Sequence, residues 1–138
     1  MKKFIAVLLS VLTLTTLSST ISAAVINPGE IITPNWAYMN SIDVNIDFSS
    51  GTGTAQVDVT RIALVTKSLN VTLTVYKKVG SSWVQIGSIS DSSTRTIRVE
   101  LDFDAESGVT YKAVADVTAY GTSGGSESDT ISRTEICP

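Results

Sequence analysis

Residues 69 to 89 read LNVTLTVYKKVGSSWVQIGSI, and this stretch decides how the chain folds. Apolar residues occupy every second position from Leu69 to Val75, and polar residues stand between them. This alternation places the apolar side chains on one face of an extended strand. Gly80-Ser81-Ser82 interrupts the run, and Trp83-Val84-Gln85-Ile86 resumes a composition that favours strands. The stretch therefore predicts a β-hairpin with one buried face.

An isolated hairpin is only marginally stable in water, so the rest of the chain must cover its apolar face. The same period of two recurs in four other segments: 42–48, 55–60, 97–103 and 111–117. The stretch 127–136 has fewer apolar residues and carries the charges of an edge strand. Residues 90–94 are polar and are predicted to form a linker. No helical spacing follows the first residues, so we predict an all-β, antiparallel, immunoglobulin-like sandwich of about seven strands.

The N-terminus has the pattern of a signal peptide. Lys2 and Lys3 precede an apolar stretch from Phe4 to Leu17, and Ser22-Ala23-Ala24 supplies the small residues that a signal peptidase reads. Cleavage is predicted after Ala24. The alternative is a retained membrane anchor, but the apolar stretch is shorter than the ~20 residues that a spanning helix needs. We therefore expect a secreted protein, extracellular or associated with the cell envelope.

Cleavage would leave 114 of the 138 residues, the size of one domain. The predicted organisation is a signal peptide at 1–24, an extended N-terminal segment at 25–41 and the sandwich at 42–138. Losing Lys2 and Lys3 lowers the net charge from −3 by two, to −5. An acidic protein is not attracted to nucleic acid or to an anionic membrane, so we expect neither as a partner and no membrane insertion after cleavage.

The chain has no histidine and a single cysteine, Cys137. This excludes histidine-based triads, histidine metal sites and an internal disulfide. A hydrolase using Asp102 or Asp104 would need two carboxylates held in a cleft, and a calcium site at Asp102, Asp104 and Glu106 does not have the spacing of an EF-hand loop. We interpret these three acids as solvated surface charges. The sequence predicts no enzyme and no cofactor.

Three aromatic residues are the other candidates for a role. Tyr76 is predicted to point outward and Trp83 lies beside the hairpin turn, so the pair could form a platform for a sugar or a contact for a protein. The alternative is that they stabilise the hairpin by cross-strand pairing without a ligand. Tyr111 follows Gly108 near the start of the sixth strand, where sandwiches of this type place a tyrosine whose hydroxyl bonds to the preceding loop. We predict a structural corner there rather than a ligand contact.

Three motifs in order carry a resemblance to a known family. They are Ile32-Thr33-Pro34-Asn35-Trp36-Ala37-Tyr38-Met39 before the first strand, Tyr76-Lys77-Lys78 leading to Gly80-Ser81-Ser82-Trp83, and Gly108-Val109-Thr110-Tyr111. In these the chain resembles a family of small secreted proteins of unknown function from Gram-positive bacteria, with an immunoglobulin-like β-sandwich. The resemblance implies an exported, extracellular or envelope-associated role and supplies no catalytic residue.

Two hypotheses for function follow. The first is a non-catalytic extracellular domain that binds a protein or a glycan. The second is a structural or assembly protein in which the last strand pairs with a neighbouring molecule and Cys137 locks the contact with a disulfide. For Cys137 itself we predict a free thiol on a loose C-terminal tail, and a disulfide between molecules is the alternative.

Overall fold

The computed structural model describes residues 35–138, and the regular elements in that range are all β-strands. They are β1 (Met39–Ser49), β2 (Thr52–Arg61), β3 (Thr66–Val79), β4 (Ser82–Ser93), β5 (Ile97–Asp104), β6 (Thr110–Gly121) and β7 (Ser126–Ile136). The predicted all-β sandwich of seven antiparallel strands is confirmed. The proposed signal peptide and its cleavage after Ala24 lie outside the described residues. Among the described residues there is no helix that is long and apolar enough to cross a membrane.

The strands form two antiparallel sheets, one of order β1-β2-β5 and one of order β4-β3-β6-β7. Immunoglobulin-type sandwiches show the same division, with strands one, two and five facing strands three, six and seven. The fourth strand differs from the constant-domain arrangement, because it pairs with β3 instead of joining the sheet of β1, β2 and β5. The four-stranded sheet is therefore the wider one, with β4 and β7 at its edges.

Two tight turns set the register of the hairpins. Ser50 and Gly51 between β1 and β2 have φ angles of 48° and 82°, as a two-residue turn of type I′ requires. Between β3 and β4, Val79 pairs with Ser82, and Gly80 has a φ of 60° at the first central position. A glycine at this position is what a type II′ turn needs. The hairpin predicted from residues 69–89 is present, with Gly80 supplying the turn.

The predicted linker at 90–94 is wrong, because β4 continues to Ser93 and pairs with β3 as far as Leu69. This half of β4 is polar because its outward side chains bond across the sheet. The hydroxyl oxygens of Thr72 and Ser90 lie 2.7 Å apart, within hydrogen-bond distance. Such pairs stabilise a strand without the apolar alternation that sequence reasoning looks for.

The core lies between the two inner faces, and its members come from the predicted alternating positions. The largest fully buried side chains are Tyr111, Met39, Leu69, Leu73, Val57, Val59, Val71, Val75 and Val117. Burying one such side chain contributes about 1.5–3 kcal/mol. Because both sheets supply these residues, the core holds the two sheets together.

The segment before β1 is fastened to the sandwich by Glu127 of β7. Its carboxylate accepts hydrogen bonds from the backbone N–H groups of Ala37, Tyr38 and Met39, at 2.7, 2.6 and 2.9 Å. The indole N–H of Trp36 donates to Asp129 on the same strand, at 2.9 Å. Two acids of the edge strand thus fix the entry of the chain into β1.

Candidate binding face

Tyr76 and Trp83 lie on the outer face of the four-stranded sheet, each opposite a lysine. Tyr76 pairs with Lys112 of β6, and Trp83 pairs with Lys78 of β3. The Nζ atom of Lys112 is 4.4 Å from the ring centroid of Trp83 and 5.4 Å from that of Tyr76. The Nζ atom of Lys78 is 4.8 Å from the Trp83 centroid. We call these four residues the lysine–aromatic cluster.

All four members of the cluster are half-buried. An ammonium group within about 6 Å of an aromatic centroid is attracted to the ring face, by roughly 0.5–2 kcal/mol depending on exposure. The aliphatic stems of lysines commonly lie along apolar surface while the charge stays hydrated. The Trp83 ring therefore holds two positive charges at one place on the sheet.

A β-bulge lies beside the cluster. Val75 pairs with Gly87 and the next residue, Tyr76, pairs with Gln85, so Ile86 has no partner on β3. Bulges occur next to functional sites because they change the direction of nearby side chains. Sequence reasoning found Tyr76 and Trp83 but missed the two lysines, whose proximity depends on the pairing of three strands.

Hydroxyl groups cover much of the remaining outer face. Ser88 bonds Thr74 at 3.0 Å, and Ser128 bonds Thr118 at 2.8 Å across β6 and β7. Thr130 donates to Asp116 at 2.6 Å. The face is therefore a sheet of hydroxyl and amide groups with the lysine–aromatic cluster near the β3–β4 turn.

The two outer faces differ in charge. Alternation and register place six acids and one arginine on the outer face of the β1-β2-β5 sheet: Asp43, Asp47, Asp58, Glu100, Asp102, Asp104 and Arg98. Arg98 is bonded to Asp58 at 2.7 Å, and this hydrogen bond raises the pKa of the guanidinium. On the same basis the opposite face carries Lys78, Lys112 and Asp116. The molecule therefore has one acidic face and one with a positive cluster.

Two of the three acids considered for calcium have other partners, while Asp104 shares the outer face of β5 with Asp102. Asp102 accepts a hydrogen bond from the Thr54 hydroxyl at 2.7 Å, and Glu106 forms an ion pair with Lys77 at 2.5 Å. The hydrogen bond to Glu106 raises the pKa of Lys77 above its usual value. Within residues 35–138, no three histidine, cysteine, aspartate or glutamate side chains are placed to hold a metal ion.

Tyr111 is fully buried, and its hydroxyl accepts a hydrogen bond from the backbone N–H of Glu106 at 2.9 Å. Its ring lies 5.0 Å from that of Phe103 and 5.8 Å from that of Phe48, measured between centroids. The tyrosine thus ties the loop at 105–109 to an aromatic cluster at one end of the core. A ligand would find no exposed surface of Tyr111 to contact.

Cys137 is not on a loose tail, and that prediction is wrong. Its side chain belongs to the core and only 6% of the residue is exposed. Its N–H donates to the carbonyl of Val109 at 2.9 Å, and its carbonyl accepts from the N–H of Gly108 at 2.8 Å. A disulfide between two molecules would require this segment to leave the core first.

We expect Cys137 to react slowly with an alkylating reagent in the native protein. Burial denies the reagent access, so labelling must wait for a local opening of the C-terminal segment. Mass spectrometry after brief iodoacetamide treatment is expected to show little labelling in buffer and complete labelling in guanidinium chloride. Equal labelling rates in both solutions would contradict the burial of this thiol.

The fold defines the chain as a small two-sheet β-sandwich. No family model matches the sequence, and no curated protein matches it. Among solved structures, the chain is similar to the one titled "Solution Structure of R. palustris CsgH", with 19% sequence identity and a TM-score of 0.43 over 69% of this chain and 89% of that chain.

Proposed function

We propose that the protein is an exported, non-catalytic binding domain whose ligand is an anionic glycan. The binding surface is the outer face of the four-stranded sheet, centred on the lysine–aromatic cluster. The observation that carries the proposal is the placement of two lysine ammonium groups around the Trp83 ring, at 4.4 and 4.8 Å from its centroid.

The charge distribution supports an anionic ligand. The protein as a whole is acidic, with a net charge of −3, so a polyanion is repelled from most of its surface. The lysine–aromatic cluster is a positive exception on the face opposite the acidic one. Local positive charge on an otherwise acidic protein selects both the site and the orientation in which an anionic polymer docks.

The surrounding side chains support a sugar polymer as the carrier of that charge. A glycan presents many hydroxyl groups, and the face offers exposed hydroxyl partners such as Ser88 and Thr134 beside the cluster. Aromatic rings with one apolar surface and a polar edge suit the flat faces of sugar rings. In this arrangement Lys78 and Lys112 bind the acidic groups, and Trp83 positions the lysines.

The predicted export of the protein supports a function outside the cell or in its envelope. The signal-peptide pattern at 1–24 and the resemblance to small secreted proteins of Gram-positive bacteria both fit a domain that meets polysaccharide outside the cell or in its envelope. A structural role without any ligand is the alternative, since cation–aromatic pairs also stabilise a sheet.

The test measures binding of the chain to polygalacturonate, with neutral dextran as the comparison polymer. An exposed ion pair contributes up to about 1 kcal/mol, so replacing both Lys78 and Lys112 by glutamine is expected to weaken binding roughly five- to thirtyfold. Isothermal titration at low and at physiological salt measures this change. Binding is also expected to weaken as salt increases, because screening reduces attraction between exposed charges.

Lys67→Gln is the matched control, because Lys67 is an exposed lysine near the opposite end of β3. This variant is expected to bind as the wild type does. Trp83→Ala is expected to lower affinity as well, because it releases both lysines. Equal binding by the double variant and the wild type, or equal affinity for dextran and polygalacturonate, would reject the proposed site.

A further inference from the structure

The edge strand β4 differs from the other three edge strands of the sandwich in its charge. Over twelve residues β4 carries one charged side chain, Asp91. In comparison, β5 carries four in eight residues, β7 four in eleven and β1 two in eleven. Natural proteins use charges on edge strands to prevent pairing with other molecules. By this criterion β4 is the least protected edge in the described part of the chain.

The backbone of β4 is available for pairing along its outer side. The N–H of Ser92 donates to the side chain of Asp91 at 2.8 Å, so it points away from β3. N–H groups alternate in direction along an antiparallel strand, and therefore those of Ser90 and Ser88 point the same way. No strand lies on that side of β4 among residues 35–138. Three outward donors thus stand in a row at the edge, and that of Ser92 already has the Asp91 side chain as its acceptor.

Partly exposed apolar side chains lie on the same strand, one among these donors and two in the residues before them. Val84, Ile86 and Ile89 are 48%, 39% and 39% exposed, a large fraction for residues of this kind on one strand. A long edge strand with exposed apolar side chains and few charges is the type that adds a further strand. The most readily available strand of matching character is β4 of a second copy.

We infer that two copies of this chain associate through β4, antiparallel to itself, so that their four-stranded sheets join into one of eight strands. The pairing has two-fold symmetry, and it closes because each β4 edge is used once. The bulge at Ile86 confines the regular part of the new ladder to residues 87–93. In this ladder Asp91 of one copy lies opposite a neutral residue of the other copy. The one exception is the register whose two-fold axis passes through Asp91, where the two Asp91 residues lie opposite each other.

The joined sheet has a consequence for the binding face. A two-fold axis perpendicular to the sheet leaves the outer faces of both copies on the same side. The two lysine–aromatic clusters would then be presented together to one polymer, and linked sites bind repeating ligands more tightly than a single site does. This consequence rests on the proposed function, whereas the dimer itself does not.

The dimer is tested by measuring mass in solution. The protein, expressed with its own N-terminal signal and purified after export, is examined by sedimentation over roughly 1 μM to 1 mM, the range of weak to moderate complexes. We expect the mass to double with concentration, with or without a reducing agent, because Cys137 takes no part. A wild-type monomer throughout this range overturns the inference.

Proline variants at the two edges of the sheet give a matched comparison. Ser90→Pro removes an N–H that points outward and keeps the backbone bonds to β3, although it loses the hydroxyl bond to Thr72. It is expected to leave a monomer. On β7 the N–H of Thr130 bonds Asp129 at 2.8 Å, and by the same alternation the N–H of Ser132 points outward. Ser132→Pro is therefore expected to remain dimeric. A dimer that survives Ser90→Pro, or is lost only in Ser132→Pro, contradicts pairing through β4.

A second variant and a second measurement cover the case in which Ser90→Pro fails to fold. Ile89→Lys places a charge on the edge, and we expect it to be a folded monomer. Hydrogen exchange of the wild type is expected to slow at least about tenfold at Ser88, Ser90 and Ser92 as concentration rises, while Thr130 and Ser132 do not change. If the three serine amides were protected at every concentration, another part of the same chain would be pairing with the β4 edge. This result would overturn the inference.

Discussion

Replacing Tyr111 by alanine is expected to lower the free energy of unfolding by about 3–5 kcal/mol, the usual cost of truncating a buried aromatic side chain. Tyr111 is fully buried and its ring lies 5.0 Å from that of Phe103 between centroids. Alanine would remove this packing and leave a cavity between the sheets. Such a loss is a large share of the roughly 5–15 kcal/mol that stabilises a typical domain.

Tyr111→Phe separates the hydroxyl from the ring. Phenylalanine keeps the aromatic packing but leaves the backbone N–H of Glu106 without its acceptor at 2.9 Å, which is expected to cost about 1–3 kcal/mol. Urea unfolding followed by tryptophan fluorescence measures both variants. The control is Tyr120→Ala, because Tyr120 is 39% exposed. A Tyr111→Ala variant as stable as the Tyr120→Ala variant would contradict the corner role.

Replacing Glu127 by alanine is expected to be the next most damaging change, with a loss of about 2–4 kcal/mol. One carboxylate accepts three backbone N–H bonds, from Ala37, Tyr38 and Met39. Hydrogen bonds to a charged group contribute about 1.5–3 kcal/mol each, and water recovers part of that at a half-buried site. Glu127→Gln is expected to cost less, since the amide retains one oxygen acceptor.

Hydrogen exchange locates the effect of the Glu127 variants. The amides of residues 37–39 are expected to exchange faster, while those in the centre of β3 and β6 follow the global stability. Glu135→Ala is the matched control on β7, because Glu135 bonds an exposed arginine, Arg133, and such pairs contribute at most about 1 kcal/mol. Unchanged exchange at residues 37–39 in Glu127→Ala would show that the segment is held by other contacts.

The two assembly surfaces considered for this protein have opposite chemistry. The sequence suggested the last strand and Cys137, but β7 carries four charges and Cys137 is 6% exposed. The structure instead leaves β4 with one charge and three partly exposed apolar side chains. The self-association hypothesis therefore moves from β7 to β4, with no role for the thiol.

The sequence identified only part of the lysine–aromatic cluster. Tyr76 and Trp83 were found because one hairpin and the strand period place both of them. Lys112 is far along the chain, and only the pairing of β3 with β6 sets it opposite Tyr76. The sequence predicts a protective edge charge at Glu127, whereas its carboxylate bonds backbone groups 88 to 90 residues away.

The amino-acid sequence by itself determined the strands, their buried sides and hence the two-sheet sandwich, because side chains two apart share a face whatever the strand pairs with. Tertiary structure alone decided that β4 continues through its serines, that Cys137 enters the core and that two lysines meet at Trp83. Each of these depends on which strands are neighbours and in what register. The register of strand pairing brings together residues that are far apart in the chain, and the local pattern of apolar residues does not determine it.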